Sequence, residues 1–571
     1  MKHFSAVVVV LALPMALHAG YKEDVGYTQL SNELGGALPT GAGVSVVQVE
    51  ALDGSNYRPD PANNHFTLTT FAWESGGSTA ASNHATNVGK YFYGQYLSLS
   101  PGAQTVHSYE ADDWLGDGFL NTSQFDLQGT PVVPDEAPAR ILNHSWIDDS
   151  TPDVLQSERL KRIDYAADHQ DLLVVAGLNN GTGAVPKLLA SAYNVVSVGR
   201  TDGNHSRGGA SFEGDPGDPP RLKPDLVAPI ALTSYTTPLV AGAGDMLYGH
   251  ASAGSNGRKP QTLKAILMAG ATKEEFAGWS QTATSPLDSI YGAGELNVYN
   301  SYHILDSGEQ TTEVVVPSNG WDFAGAPGLA EQRIYYFEVP AGQAMSDLSA
   351  VLTWHRVLTT GFYRFDATLA DLQLQLYTRS GSSLGTVLRT SNSPVDNVEH
   401  IWEPEILTPG EYALVVSIAD GTDTADYGLA WRSTLGYPAT YEVWKEVTFA
   451  GTSVPEEDRV RSADADDDGD SNLLEYATGS DATDPARKAR VEKLNSGESG
   501  LVYARRKSAT DLAYTVALST NLVEWDYTED DLEEVSVTDL GNDLEEVTVR
   551  LTAPLAGMGA KVFLHLCVAC D

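Results

Sequence analysis

The stretch "KPDLVAPIALTSYTTPLVAG", residues 223–242, holds a short apolar run that stops at Pro229 and a run of small and apolar residues that begins after Pro238. Between them a Thr–Ser pair, with a proline four residues after the serine, places the Ser234 hydroxyl at the first turn of a buried helix. Backbone N–H groups there lack intrahelical partners, and the helix dipole favours negative charge. A serine at such a position can equally be a simple helix cap. The segments on either side decide between a cap and a nucleophile.

Outward from this stretch, apolar runs alternate with helical patterns between about 40 and 300. "GVSVVQVEA" (43–51), "ARILNHSW" (139–146), "DLLVVAGLNN" (171–180) and "NVVSVGRTD" (194–202) read as strands, while "SERLKRIDYAADHQ" (157–170) and "PQTLKAILMAGA" (260–271) read as helices. Nearly continuous apolar strands separated by helices imply a parallel sheet covered on both faces, an α/β domain. After about 310 the texture changes to alternating strands such as "QRIYYFEVP" (332–340), "DLQLQLYTR" (371–379) and "GEYALVVSIAD" (410–420), the pattern of a β-sandwich or jelly roll ending near 436. The polar, acidic stretch 437–485 reads as a linker, and 486–571 as a small C-terminal β domain with "LAYTVALSTNLVEW" and "KVFLHLCVA" among its strands. Several domains are what 571 residues imply, at about 100 to 200 residues each.

Bulk composition removes some functions. Thirty-five Lys and Arg against 76 Asp and Glu give a formal charge of −41, which repels phosphate backbones and anionic membrane surfaces. No nucleic-acid partner is expected. "MKHFSAVVVVLALPMALHA" has a basic start, an apolar run and a small residue at Ala19, so 1–19 reads as a secretory signal peptide and the protein as exported. No later stretch is apolar enough to insert in a membrane, and the chain is expected to be a monomer. The two cysteines, Cys567 and Cys570, fall at the far C-terminus, so disulfides do not hold the domains together, and the pair reads as thiols on a terminal strand.

Three further segments bear on Ser234. An apolar strand ends in an acid at Glu50, "SNHATNVGKYFYG" (82–94) sets His84 ahead of a helical stretch, and "GLNNG" puts Asn179 at the end of a strand. Together these resemble the subtilisin-like serine peptidases, in the order acid, His, Asn, Ser. Over roughly 40 to 300, "HATNVGK" is similar to the family's "HGTHVAG", "GLNNG" to "AAGNEG", "LTSYTTPLVAG" to "GTSMATPHVAG", and "YGAGELN" (291–297) to "YGxGxxN", while "KPDLVAP" stands unchanged. "NHSWI" (143–147) is similar to "NMSLG" and implies that Ser145 and Trp146 border the peptide cleft.

The resemblance implies a subtilisin-like sheet with helices on both faces and a secreted serine endopeptidase acting on polypeptides. Ser234 would be the nucleophile, His84 the base, Glu50 the acid that orients it, and Asn179 the oxyanion donor. Glu50 is one methylene longer than the family's Asp, and Asp53, three residues on, competes for its role. Leu232 replaces the glycine before Thr–Ser and could crowd the nucleophile turn, and only three residues and Thr233 separate Pro229 from Ser234, which would open the primed side of the cleft. About 20 residues between the signal peptide and the first strand leave no room for the folding prodomain many members carry. These departures keep open a rival function, a catalytically impaired pseudoprotease or a peptide-binding or adhesive surface protein.

The acidic stretch contains "DADDDGDSNLLE" (464–475), which fits the EF-hand loop pattern with Asp464, Asp466, Asp468, Asp470 and Glu475 as ligands and Gly469 at the turn. Alternating carboxylates in a tight loop suit one hard cation, so structural Ca²⁺ is the expected cofactor. An acidic linker that binds nothing is the alternative.

Overall fold

The computed structural model describes residues 20–148, 153–185, 188–211, 221–328, 330–421, 423–494, 499–525, 531–552 and 561–570. The stretch read as a signal peptide, 1–19, lies outside them. Two short helices, α1 (Tyr21–Asp24) and α2 (Tyr27–Leu34), precede the first domain proper. There follow β1 (Ser45–Glu50), β2 (Thr70–Trp73), α3 (Asn83–Phe92), β3 (Thr105–Glu110), α4 (Ala111–Leu115), β4 (Ile141–His144), α5 (Asp153–His169), β5 (Leu173–Gly177), β6 (Val195–Arg200), β7 (Leu226–Ala228), α6 (Thr233–His250), α7 (Pro260–Gly270) and α8 (Val298–Asp306).

The seven strands form one parallel sheet in the order β2-β3-β1-β4-β5-β6-β7. The chain runs from β1 outward to β2 and β3 and then crosses to β4 on the other side of β1. Ligands of open α/β sheets bind at such a reversal, beyond the carboxyl ends of the strands. Successive side chains point to opposite faces, and each face has its own core. Val46, Val106, Ile141, Leu173, Val175 and Val196 pack with α6 and α7 on one side. Val47, Val49, Leu142, Val174, Ala176 and Val195 pack with α4 and α5 on the other.

Beyond α8 come the strands β8 (Gly320–Gly325), β9 (Arg333–Val339), β10 (Ala344–Trp354), β11 (Val357–Thr360), β12 (Phe365–Thr368), β13 (Asp371–Ser380), β14 (Ser383–Ser391), β15 (Val398–Glu403), β16 (Gly410–Asp420) and β17 (Asp426–Gly436). Two antiparallel sheets, β15-β10-β17-β8 and β14-β13-β16-β9, face each other over a core that includes Leu352, Leu374, Leu414 and Trp431, with β11–β12 as a separate hairpin. In β13 the buried Leu372, Leu374 and Leu376 alternate with Gln373 and Gln375, the half-buried pattern visible in the sequence.

The stretch read as a linker is itself folded: α9 (Tyr441–Thr448) and α10 (Asn472–Thr478) close around Tyr441, Trp444, Phe449 and Tyr476. The C-terminal strands are β18 (Val491–Lys493), β19 (Gly500–Arg506), β20 (Leu512–Ser519), β21 (Leu532–Gly541), β22 (Leu544–Leu551) and β23 (Phe563–Cys570), paired as β18-β19-β22-β21 and β20-β23. Cys567 and Cys570 sit on β23 as thiols. No helix among the described residues is long and apolar enough to cross a membrane.

The sandwich is docked on the first domain through α7, which β10 and β17 cover. Asn194 Nδ2 donates to Arg356 O at 2.9 Å, Arg356 N donates back to Asn194 Oδ1 at 2.8 Å, and Asn397 Nδ2 reaches Tyr193 O at 3.0 Å. At the closest point Gly428 lies against the α7 backbone: a Cβ there would come within 2.6 Å of Gln261 C and O and of Thr262 N. Backbone cannot yield as a side-chain tip can, so Gly428→Ala is expected to destabilise by the about 1–3 kcal/mol typical of overpacking. Urea unfolding followed by tryptophan fluorescence measures it, and an unchanged midpoint would mean that the two domains are not seated this closely.

Candidate active site

The strand alternation that puts Val47 and Val49 on the α5 side puts Gln48 and Glu50 on the other, where α3 packs against α6. Glu50, the last residue of β1, is fully buried, and both its oxygens are engaged. Gln48 Nε2 donates to Oε1 at 2.8 Å, and Oε2 bonds His84 Nδ1 at 2.8 Å. Gln48 is held in turn: its Nε2 also reaches Ala85 O at 2.9 Å, and Tyr93 OH donates to its Oε1 at 2.6 Å. These bonds tie the carboxylate to the helix that carries the imidazole.

His84 is the second residue of α3, whose N-cap Ser82 accepts the Ala85 N–H at 3.1 Å. Its pKa is raised above the ordinary 6.5 by the hydrogen bond to Glu50, which outweighs the opposing effect of partial burial. With Nδ1–H given to the carboxylate, the neutral ring leaves the Nε2 lone pair free to accept a proton. Asp53 is exposed in a turn closed by Asn56 and reaches His84 only as a distant charge.

Ser234 is the second residue of α6 and is half-buried, with its N–H among the first-turn amides that have no intrahelical acceptor. Pro238 has no N–H for the Ser234 carbonyl, so the first turn is held by Tyr235 and Thr236 N–H bonds to Leu232 O at 2.9 and 3.0 Å. Leu232 occupies the N-cap with extended backbone and is 41% exposed. The helices bearing Ser234 and His84 pack together, with Tyr91 stacked on Tyr235 at 5.3 Å. Ser234 Oγ and the His84 ring are not hydrogen-bonded to each other among the described residues; such bonds commonly tighten only with substrate in place.

The two asparagines after β5 part company. Asn179 is fixed through its backbone, its N–H donating to Ser206 Oγ at 3.0 Å and its carbonyl accepting the Ser206 N–H at 2.9 Å. Asn180 instead sends its side chain to the nucleophile turn, where Oδ1 accepts the Thr233 N–H at 3.0 Å. That bond identifies the oxygen end of the amide and leaves the two donors of Nδ2 for another partner. Both asparagines line a recess with Ser234, Ser145 and Trp146. Asn143 Nδ2 holds Ser145 Oγ at 3.1 Å, and buried Trp146 packs edge-on to His144 at 5.9 Å. Burial lowers the His144 pKa to about 3, so this second imidazole stays neutral inside the core.

A separate cluster lies in the acidic loop. One carboxylate oxygen each from Asp464, Asp466 and Asp468 lie within 4.8 Å of one another. Asp467 and Gly469 take positive φ of 62° and 100° to make the turn. Glu475, in the first turn of α10, is fully buried with no hydrogen-bond donor on either oxygen, and Asp466 Oδ2 and Asp468 Oδ2 are likewise buried without one. Burial and the four aspartates push the Glu475 carboxyl up to about 8. The Asp470 carboxylate turns aside to accept the Ala489 N–H at 3.0 Å. Asn472, which the loop pattern does not single out, braces the turn, its Nδ2 donating to Asp458 O and Val460 O at 2.9 Å each and its Oδ1 accepting the Ala465 N–H at 3.2 Å.

No protein-family profile matches the chain, and no curated protein does. Among solved structures it is similar to the prenylagaramide maturation protease PagA, at 17% identity and TM-score 0.29, over 46% of this chain and 93% of that one. The self-cleaved protease domain of PatA gives 17% and 0.32, over 47% and 98%. A cold-adapted subtilisin-like serine proteinase gives 16% and 0.28, over 45% and 88%. At these scores the site has to be read from its own geometry.

The Glu50 bond makes a direct expectation for His84. In Glu50→Gln the acceptor of the Nδ1 bond loses its negative charge, the largest support for the raised pKa, while burial still lowers it, so the His84 titration moves down; in Asp53→Asn it moves little. NMR titration of the imidazole nitrogens measures both. Equal shifts in the two variants would mean that the hydrogen bond does not set the protonation of His84.

Proposed function

We propose that this protein is an exported serine endopeptidase that hydrolyses polypeptides with Ser234, His84 and Glu50. The observation that carries the reading is the Glu50 Oε2 to His84 Nδ1 bond of 2.8 Å, made by a fully buried carboxylate at the carboxyl end of β1. With one ring nitrogen held by the carboxylate, the other is left to exchange a proton. In the reaction His84 Nε2 takes the Ser234 hydroxyl proton as Oγ attacks the peptide carbonyl, Glu50 steadies the imidazolium, and the proton then goes to the leaving amine. Water repeats the cycle on the acyl-enzyme. The negative oxygen of each tetrahedral intermediate is met by the Ser234 N–H and by Asn180 Nδ2, so the oxyanion donor is assigned to Asn180 rather than Asn179.

The acidic loop is assigned to structural Ca²⁺. Four buried carboxylate oxygens on Asp466, Asp468 and Glu475 without donors are what a hard cation satisfies. Asp464, Asp466, Asp468 and Glu475 would hold the ion through side chains, and Asp470, at the seventh loop position, through its carbonyl. The ion supplies charge neutralisation alone, fastening α10 and the aromatic cluster beneath it.

Ser234→Ala and His84→Ala should each abolish hydrolysis of a casein-type substrate while the protein stays folded. Asn180→Ala should lower kcat by about 10²–10³, the loss known for removing one oxyanion donor, whereas Asn179→Ala should leave it close to wild type. The reverse order for the two asparagines would return the role to Asn179. Full activity in Ser234→Ala would remove the proposal.

Chelation should leave Glu475 and its neighbours uncompensated and open the segment around 464–475 to proteases. Limited digestion with a protease that cleaves after acidic residues, with and without EDTA and read by mass spectrometry, is the measurement. Identical cleavage patterns, with no calorimetric Ca²⁺ binding, would reduce the loop to an acidic surface.

A further inference from the structure

Beside Ser234 the structure has a recess of about 60 Å³. Its walls include Ser234, Asn180, Ser145, Ile147, Trp146 and Leu178. On the reading of Ser234 as nucleophile, the attacked carbonyl must lie about 3 Å from its Oγ, with its oxygen toward the Ser234 N–H and Asn180 Nδ2. The side chain of the residue that supplies this carbonyl leaves from the adjoining α-carbon. It therefore enters the recess whose wall is made by those same two residues.

The recess is small and cannot readily grow. An engineered apolar cavity of about 150 Å³ takes up benzene, and one water occupies about 30 Å³ in the liquid. Sixty cubic ångströms lies well below the first and near two waters. Trp146 and Leu178 are 8% and 2% exposed and belong to the core cluster with Leu188 and Leu189. Such close-packed side chains do not move aside without strain. Ile147, one residue beyond, is 36% exposed, and its branched Cβ gives it few rotamers with which to withdraw. Among the described residues no charged side chain lines the recess, so a buried Lys, Arg, Asp or Glu would lose its hydration without a partner there.

We propose that the peptide residue on the carbonyl side of the cleaved bond must be glycine, alanine or serine, and that Ile147 is the side chain that enforces the limit. Aromatic, long aliphatic and charged residues are excluded by volume and desolvation. The residues on the amine side of the bond are not constrained by this recess.

The test compares fluorogenic peptides that differ only in that residue, with the wild type and with Ile147→Gly and Ile147→Ala, after active sites are counted with a fluorophosphonate. The wild type is expected to favour Ala over Phe or Leu by about 100-fold or more in kcat/KM, since a single methylene of misfit is worth about 10- to 200-fold. The two variants should close most of that gap. The wild-type series needs no mutation, so the proposal stays open to refutation even if a variant misfolds. Phe or Leu cleaved as well as Ala by the labelled wild type overturns it, and an unchanged ratio in folded, labelled variants overturns the assignment to Ile147. Absence of fluorophosphonate labelling would be a different failure, that of the nucleophile assignment on which this inference rests.

Discussion

A parallel sheet buried on both faces permits each strand residue only one of two environments, and the site depends on which one Glu50 receives. Its even-numbered neighbour Gln48 shares its face, while Val47 and Val49 belong to the opposite core beside Trp114. A slip of one residue in β1 would bury the carboxylate among apolar side chains, where an unpartnered charge is not tolerated. In the observed register both oxygens find donors, and the same Gln48 that satisfies one of them also bonds α3. Orientation of the imidazole and attachment of its helix to the sheet are thus one network. Loosening either loosens both.

Behind the site, α6 rests on β4, β5, β6 and β7 and touches α7, while α7 lies between that core and the sandwich strands β10 and β17. The eleven residues of α7 are all buried, including Gln261, Thr262 and Lys264, which a helix facing solvent would not bury. Arg432 of the sandwich completes the helix terminus, its Nε reaching Ala269 O at 3.2 Å and its Nη2 reaching Ala271 O at 3.3 Å. These are the last carbonyls of a helix, which otherwise lack partners. The sandwich therefore finishes the first domain physically, whatever it binds.

Much of this was legible in the residues. The α/β class of the first domain follows from short apolar runs separated by helical patterns, which mark four of its seven strands, and the sandwich from period-two alternation, because burial on two faces and on one face write different textures. The places of Ser234 and His84 at helix starts and of Glu50 at a strand end were readable, from a Thr–Ser before small residues, a Ser–Asn before a helix and an acid closing an apolar run; the roles given to them rest on the family resemblance. What escaped depends on partners distant in the chain. Asn179 and Asn180 are chemically identical neighbours, and only contacts distant in the chain distinguish them, Ser206 fixing the backbone of Asn179 and Thr233 N–H bonding the side chain of Asn180. Asp470 fits the loop pattern, and one of its carboxylate oxygens accepts the N–H of Ala489, nineteen residues on. The acidic stretch looked like a linker because its small core gathers Tyr441, Trp444, Phe449 and Tyr476 from both ends of it.

The Leu232 position shows how one substitution can be absorbed. A leucine N-cap offers no side-chain acceptor, and the lack of a polar cap costs a helix about 0.5–2 kcal/mol. Asn180 supplies the missing acceptor from the loop after β5, its Oδ1 taking the Thr233 N–H. Once the oxygen end of that amide is committed to capping, its nitrogen end must face away from the helix, toward the recess it shares with Ser234. On the proposed function, capping of α6 and presentation of a donor beside Ser234 are two ends of one planar group. An aspartate at 180 could still cap the helix, and would place a second acceptor where the oxyanion has to form.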